Sequence, residues 1–371
     1  MKVLVLATTY SKPNENPTHF FVQARNIYYK SKGIDVTVLN FSANENYVID
    51  DINVITLEEY ENNQQKYSYD LLISHAPNLR NHYSFLKKYE GNFKKIVFFF
   101  HGHEVLYCSK VYSKPYKYVK DSNVMQKIIR NTYDVFKLHV WNRYFTKIAY
   151  KSYFIFVSKW MYNEFIKWTQ INPKVIDGRY SITYNCVGKK FEEEKYNYKS
   201  EKEYDFITIR SNLDGSKYSI DLVNKLAKNN PNYKFLIVGK GEFFKHNQKA
   251  DNIDVKYEFV NHEQIIELLN KSRCALMPTR TDAQGLMMCE MATFGIPVIT
   301  SDIPVCHEVF DEFENVKLIN NNDESKKLDI EFKELIKNLP YEKNDKYFNS
   351  NTSQKEIEIF KLFIGEIKWY Y

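Results

Sequence analysis

Short, strongly apolar runs alternate along this chain with longer segments whose apolar positions recur every three or four residues. That is the pattern of buried parallel strands interleaved with helices. Residues 1–8 read as a buried strand, 19–32 as a helix stopped by Gly33, and 35–40 as the next strand. This β-α-β spacing opens a doubly wound sheet. Further strands are predicted at 71–73, 95–100, 153–157 and 181–184. Each is followed by polar residues: His75, then His101-Gly102-His103-Glu104, then Ser158, then Asn185. Open α/β sheets bind ligands at the carboxyl ends of their strands, so these positions are expected on one rim. Ser158 reads as a helix N-cap and Asn185 as a turn or hinge residue.

A charged, Tyr-rich stretch at 189–204 reads as a linker, after which the pattern restarts. Strands are predicted at 206–209, 234–239 and 255–260, and helices at 220–228 and 262–271. Residues 275–303 then read strand, polar loop, helix, Gly stop, strand. The loop carries Asp282, Gly285 precedes the helix, and Glu290 lies inside it. A loop feeding a helix N-terminus presents free N–H groups that attract phosphate, and two acids so spaced can face one ligand. The tail, 353–369, reads as an amphipathic helix with Ile357, Phe360, Leu362, Phe363 and Ile367 apolar and Ser353 as its N-cap. The expected division is 1–195, 196–350, and a tail helix in 351–371 packing back on the first domain.

Composition narrows the class. The chain's 371 residues suit two domains of ~150 residues each. Hydrophobic residues make up 44%, and Gly (11) and Pro (10) are scarce, which excludes a low-complexity chain. The five cysteines are odd in number and none sits at CxxC spacing. They read as free thiols in a reducing compartment rather than disulfides or a zinc site. The apolar run at the N-terminus is too short for a signal peptide, and no stretch approaches the ~20 residues of a membrane span. A cytoplasmic protein is expected, with membrane contact at most peripheral on the inner face.

Residues 106–152 carry ten Lys or Arg against two acids, interleaved with aromatics. The stretch suits an anionic membrane surface or a pyrophosphate-linked lipid, and equally a solvated basic helix pair. No RNP, zinc-finger or helix-turn-helix signature points to nucleic acid. Two Rossmann-like halves suggest a nucleotide. Neither carries GxGxxG or a Walker sequence, and the first loop, 9–17, has no glycine. That excludes a dehydrogenase-type clasp and leaves a helix N-terminus with basic side chains in the second half.

The stretch TDAQGLMMCEMATFGIPVITSD resembles the signature of retaining glycosyltransferases of family 4: an acid, seven residues, a glutamate, then small residues and G-x-P-V-I. YDLLISHAP, FFFHGHEV, FIFVSKWM, ITYNCV and FITIRSNLDGSKYSIDLV are similar to other elements of that family, in matching order across residues 1–305. The resemblance implies the GT-B fold, two facing Rossmann-like doubly wound parallel-sheet domains with a donor cleft, and a metal-independent enzyme with no cofactor. The substrates would be a nucleotide sugar, UDP- or GDP-linked, and a glycan or lipid-linked acceptor. Carried over, Arg210, Lys217 and the amides around Gly285 and Leu286 would hold the donor diphosphate. Gly239 would admit the nucleotide, Glu290 would bind ribose hydroxyls, and Asp282 donor-sugar hydroxyls. His101 would sit at the reacting sugar, with His75, His103 and Glu104 on the acceptor side. Asp282 replaces the family's usual glutamate, and Ala283-Gln284 its Gly-Phe. The other expectations are a phosphorylase or epimerase on the same architecture, or a non-catalytic glycan- or nucleotide-sugar-binding protein.

Overall fold

The computed structural model describes residues 1–13, 20–119, 124–323 and 325–366. The chain forms two compact units. One comprises Met1–Tyr107, Thr132–Cys186 and Phe348–Tyr371; the other comprises Cys108–Asn131 and Val187–Tyr347.

The first unit is built on β1 (Lys2–Ala7), β2 (Asp35–Asn40), β3 (Tyr47–Ile49), β4 (Ile52–Ile55), β5 (Leu71–His75), β6 (Ile96–Phe100), β7 (Ser152–Phe156) and β8 (Tyr180–Ile182). They lie in the order β3-β4-β2-β1-β5-β6-β7-β8. Every pair is parallel except β3 with β4. β5, β6 and β7 are buried along their whole length, which is why they read as continuous apolar runs. β3 and β4 were not predicted. They are three and four residues long, too short to show a period.

Helix Phe20–Ser31 buries Val22, Arg25, Asn26 and Tyr29; His19 lies outside the described residues. Its partner is helix Ser353–Ile364, whose Ile357 and Phe360 join the same core. Ser353 is the first helical residue, not the cap; the cap position is Thr352. The predicted end of this helix, with Ile367, lies outside the described residues. The basic stretch contains helix Val124–Ile148. Its later turns are core, because Leu138, Trp141, Phe145 and Ile148 are buried and Phe145 packs on Phe98 and Phe154. A wholly solvated basic helix pair is therefore excluded for this part of the stretch.

The second unit holds β9 (Tyr204–Asn212), β10 (Phe235–Lys240), β11 (Ile253–Lys256), β12 (Ser272–Leu276), β13 (Val298–Ser301) and β14 (Val316–Ile319). The order is β11-β10-β9-β12-β13-β14, parallel throughout. β11 begins and ends earlier than predicted. As an edge strand it pairs only with β10, and its last partner pair is Val238 with Lys256. Beyond it Tyr257 and Phe259 are exposed. The stretch read as a linker is packed instead. It forms helix Lys189–Glu193 with Phe191 buried, and Tyr196 is buried with its hydroxyl donating to the Ser272 carbonyl at 2.7 Å.

Candidate active site

In the first unit, the carboxyl ends of β5 and β6 bring two predicted residues together. His75 Nδ1 lies 3.1 Å from His101 Nε2. The His75 ring stacks on Phe99 at 4.4 Å, and His101 packs against Phe21 at 4.3 Å. Two imidazoles in this contact share one proton between them, so each fixes the other's tautomer. Glu104 is buried, and its Oε1 accepts N–H bonds from His101 and from Gly102, the latter at 2.9 Å. Its other oxygen is buried without a partner. The carboxylate thus closes the tight turn that carries His101. His103 points to solvent.

Sequence reasoning missed the support of that turn. Lys137 is buried and donates to the carbonyls of His103 (2.9 Å) and Leu106 (3.0 Å) and to Asp134 Oδ1 (2.8 Å). Both Lys137 and Asp134 sit in a stretch so rich in lysine that neither stands out.

In the second unit, strand order reverses at β9: β10 and β11 lie on one side, β12 to β14 on the other. Ligands of open α/β sheets bind at this switch point, outside the strand carboxyl ends. Arg210 sits there, 5% exposed. Its Nη2 donates to the carbonyls of Met277 and Pro278, each at 3.0 Å, and its guanidinium lies 5.0 Å from the Tyr218 ring centroid. Its Nε is buried with no protein partner. Burial holds its pKa below the usual arginine value, and the Asp282 carboxylate partly offsets this. A buried cation with a spare donor is the group that gains most from an arriving anion.

Gly239 has a structural reason to be glycine. Its φ is +152°, and a Cβ there would lie 1.8 Å from the Arg210 carbonyl oxygen. β10 is irregular between Val238 and Lys240, where it meets β9. So Gly239 lets the backbone that carries Arg210 come close. Lys217, in the turn Ser216–Tyr218, holds its ammonium 4.7 Å from the Tyr218 ring centroid. Its carbonyl accepts from the Arg280 N–H at 2.8 Å and from Thr279 Oγ1 at 3.1 Å. Arg280 also pairs with both oxygens of Asp221, at 2.9 and 2.7 Å. The Arg210–Lys217 loop and the Thr279–Gln284 loop are therefore bonded to each other.

Asp282 Oδ1 accepts the N–H groups of Ala283 (2.8 Å), Gln284 (3.4 Å) and Gly285 (2.9 Å). This is an Asx-type turn, and it delivers the chain to Gly285 at φ +77°, a left-handed conformation that glycine adopts without strain. Helix Leu286–Phe294 starts at the next residue. The Asp282 carboxylate thus shapes the helix entry, with its second oxygen outside that turn.

Glu290 is 2% exposed. Its Oε1 accepts the Gly188 N–H at 3.1 Å and lies 3.5 Å from His262 Nε2. Burial pushes its carboxyl up to about 8, and the Gly188 bond pulls partly the other way. Burial, and then Lys190, hold His262 below its usual value. At neutral pH both groups are mostly uncharged. A Cβ on residue 188 would meet His262 Cε1 at 2.4 Å. Gly188 and His262 lie far from Glu290 in sequence, so only the fold reveals them.

Residues 190–355 match the family model described as glycosyl transferases group 1. A 98-residue stretch is 32% identical to the O-antigen biosynthesis glycosyltransferase WclY of Escherichia coli; it covers 25% of this chain and 28% of that protein's length. The fold is similar to that of sucrose-phosphate synthase from Thermosynechococcus elongatus, with TM-score 0.66 and 11% identity over 99% of this chain and 100% of that one. It is also similar to Anabaena HepE, solved in complex with UDP and glucose, with TM-score 0.61 and 12% identity over 99% and 98%. In residues 190–355 the chain thus carries a glycosyl transferases group 1 domain, and its two parallel-sheet α/β units have the GT-B fold.

Proposed function

We propose that this chain is a retaining, metal-independent glycosyltransferase. It moves a sugar from a UDP- or GDP-linked donor to a hydroxyl of a glycan or lipid-linked acceptor, in the synthesis of a cell-surface polysaccharide or glycoconjugate. The observation that carries the reading is Arg210: a buried cation at the switch point with a spare Nε donor, bonded to the segment after β12 that leads to the helix beginning at Leu286. Glycosyl transfer from a nucleotide sugar creates an anionic diphosphate leaving group, and fixed charge aimed at it lowers the barrier. Arg210 and Lys217 supply that charge, and the helix start adds its N–H groups. Glu290 binds the ribose, Gly239 lets the nucleotide approach, and the free oxygen of Asp282 faces the donor sugar. His101, oriented by His75, sits at the reacting sugar; Glu104 and His103 shape the acceptor side. The UDP and glucose with which HepE was solved belong to the same chemistry.

The chain works in the cytoplasm. Approach to a lipid-linked acceptor is peripheral in this reading; among the described residues no helix is long and apolar enough to cross a membrane. The test is a panel of nucleotide sugars, scored for binding and donor hydrolysis. Turnover of one donor, lost in Arg210→Gln and in Glu290→Ala, is the expected result. Binding without turnover, even with added acceptors, would favour a nucleotide-sugar-binding protein, a reading consistent with an Asp282 drawn into its own turn. No binding of any donor overturns both.

A further inference from the structure

Residues Cys108–Asn131 lie between β6 and β7 in sequence, yet they pack as part of the second unit. Hydrogen bonds hold them there. Tyr116 donates to Asp221 at 2.9 Å, Tyr118 to Asp214 at 2.6 Å, and the Ser113 and Ser216 hydroxyls meet at 2.9 Å. The Thr281 hydroxyl also donates to the Val111 carbonyl at 3.1 Å. Tyr116 and Tyr118 both pack edge-on against Phe243. The strap is therefore anchored on the two loops that hold Arg210, Lys217 and Asp282.

This anchored strap, with the first turns of helix Val124–Ile148, borders an open cavity of about 730 Å³. Lys114, Lys117, Lys127 and Arg130 line it, and none of its described lining residues is acidic. Lys114, Lys117 and Arg130 form no ion pair with any described residue. These three like charges around one hollow repel one another, and such an arrangement is stabilised by a polyanion that fills it. Hydroxyls of Ser109 and Tyr112 on the wall add hydrogen-bonding groups that suit phosphate oxygens. The volume falls within the range of small-molecule sites. The cavity shares its wall with the Lys217 loop: Ser113 lines it and bonds Ser216, and Tyr112 lines it with the Lys217 ammonium 5.8 Å from its ring.

We infer that this cavity binds a diphosphate or phosphate group, and that its natural source is the phosphorylated head of a lipid-linked acceptor. The source rests on the glycosyltransferase reading; the anion chemistry does not. Anion held here would sit beside the donor loop and anchor the acceptor by the end that is not glycosylated.

Calorimetric titration of the full chain with geranyl diphosphate and with inorganic pyrophosphate, in the presence of excess UDP and GDP, tests the inference. Geranyl diphosphate is expected to bind, more weakly as salt rises. The Lys114→Gln/Lys117→Gln/Arg130→Gln variant should lose roughly tenfold or more in affinity while keeping the wild-type Tm, as expected for exposed charges. Equal binding of inorganic pyrophosphate through the same three residues supports the anion site and assigns it to the bare anion rather than the lipid. Unchanged affinity in the triple variant overturns the cavity. So does retention on phosphatidylglycerol vesicles with no binding of either diphosphate, which would make the stretch a membrane-facing surface. Failure of both UDP and GDP to bind wild type, with the triple variant still losing geranyl diphosphate, would defeat the donor reading and leave the cavity standing.

Discussion

Glu290 is where burial and chemistry are most tightly linked. Its carboxyl titrates near 8 in the fold and near the ordinary glutamate value when unfolded. Between those values the folded chain holds a proton that the unfolded chain has released. Stability from this group is therefore fully present at acid pH and is lost as pH rises toward 8. Glu290→Gln removes the ionisation, so its Tm should gain on wild type steadily from pH 5 to pH 8; a constant difference would refute the assignment. A ligand hydroxyl donating to Glu290 favours the carboxylate and lowers this pKa. Donor binding near pH 7.5 should then release a proton, seen as a binding enthalpy that depends on the ionisation heat of the buffer. Glu290→Gln should abolish that dependence. Gly239 makes a different prediction. An added methyl would collide with the Arg210 backbone, so Gly239→Ala should cost about 2 kcal/mol or more in urea unfolding and weaken donor binding by displacing Arg210. At this scale the sequence showed the acids, the arginine and the glycines as a signature. It could not show Gly188 and His262, which meet Glu290 only in the fold, or Lys137, which holds the turn at His103 and Leu106 from a helix about 30 residues on.

Among the elements, the two helices of the first unit are joined by a buried ion pair. Arg25 Nε lies 3.0 Å from Glu356 Oε1, with both side chains inaccessible to solvent. Arg25 also donates to Asn185 Oδ1 at 2.8 Å and to the Phe21 carbonyl at 3.0 Å, and Thr183 donates to Glu356 at 2.9 Å. Tyr29 donates to the same carboxylate. Asn185, read from sequence as a turn or hinge residue, is also part of this network. Removing one charge strands the other in the core, at a cost of ~3–5 kcal/mol, whereas replacing both by apolar residues recovers much of it. Arg25→Met and Glu356→Leu are each expected to lower the urea midpoint sharply, and the double variant to lie above either single one. Additive losses would show that the pair is not coupled. The elements themselves were legible where burial is two-sided: β1, β2, β5, β6, β7, β10 and helix Leu286–Phe294 lie within a residue or two of their predicted bounds. They failed where composition misleads. Alternation carried the prediction for β11 past the end of its only partner strand, and charge hid the buried Phe191 and Tyr196.

At the scale of the whole molecule, the chain leaves the first unit at Cys186, builds the second, and returns at Phe348 to complete the first. Sequence reading placed a restart of the α/β pattern correctly, but periodicity carries no record of which helix packs on which sheet. It therefore could not show that residues 108–131 cross to the second unit. The return has a thermodynamic consequence. Ending the chain at Tyr347 removes helix Ser353–Ile364, uncovers the core around Tyr29 and Phe99, and leaves Arg25 buried without its carboxylate. The second unit keeps all six of its strands. Tryptophan offers a selective reporter, because Trp141, Trp160 and Trp168, the tryptophans that the truncated chain keeps, all belong to the first unit's segments. The truncated chain should therefore show red-shifted tryptophan emission at ambient temperature, with little further change on heating. Its circular dichroism should still show a cooperative transition from the second unit. Native-like emission with an unchanged melting curve would mean that the first unit folds without its returning helix. Loss of both signals would mean that the second unit cannot fold without the first.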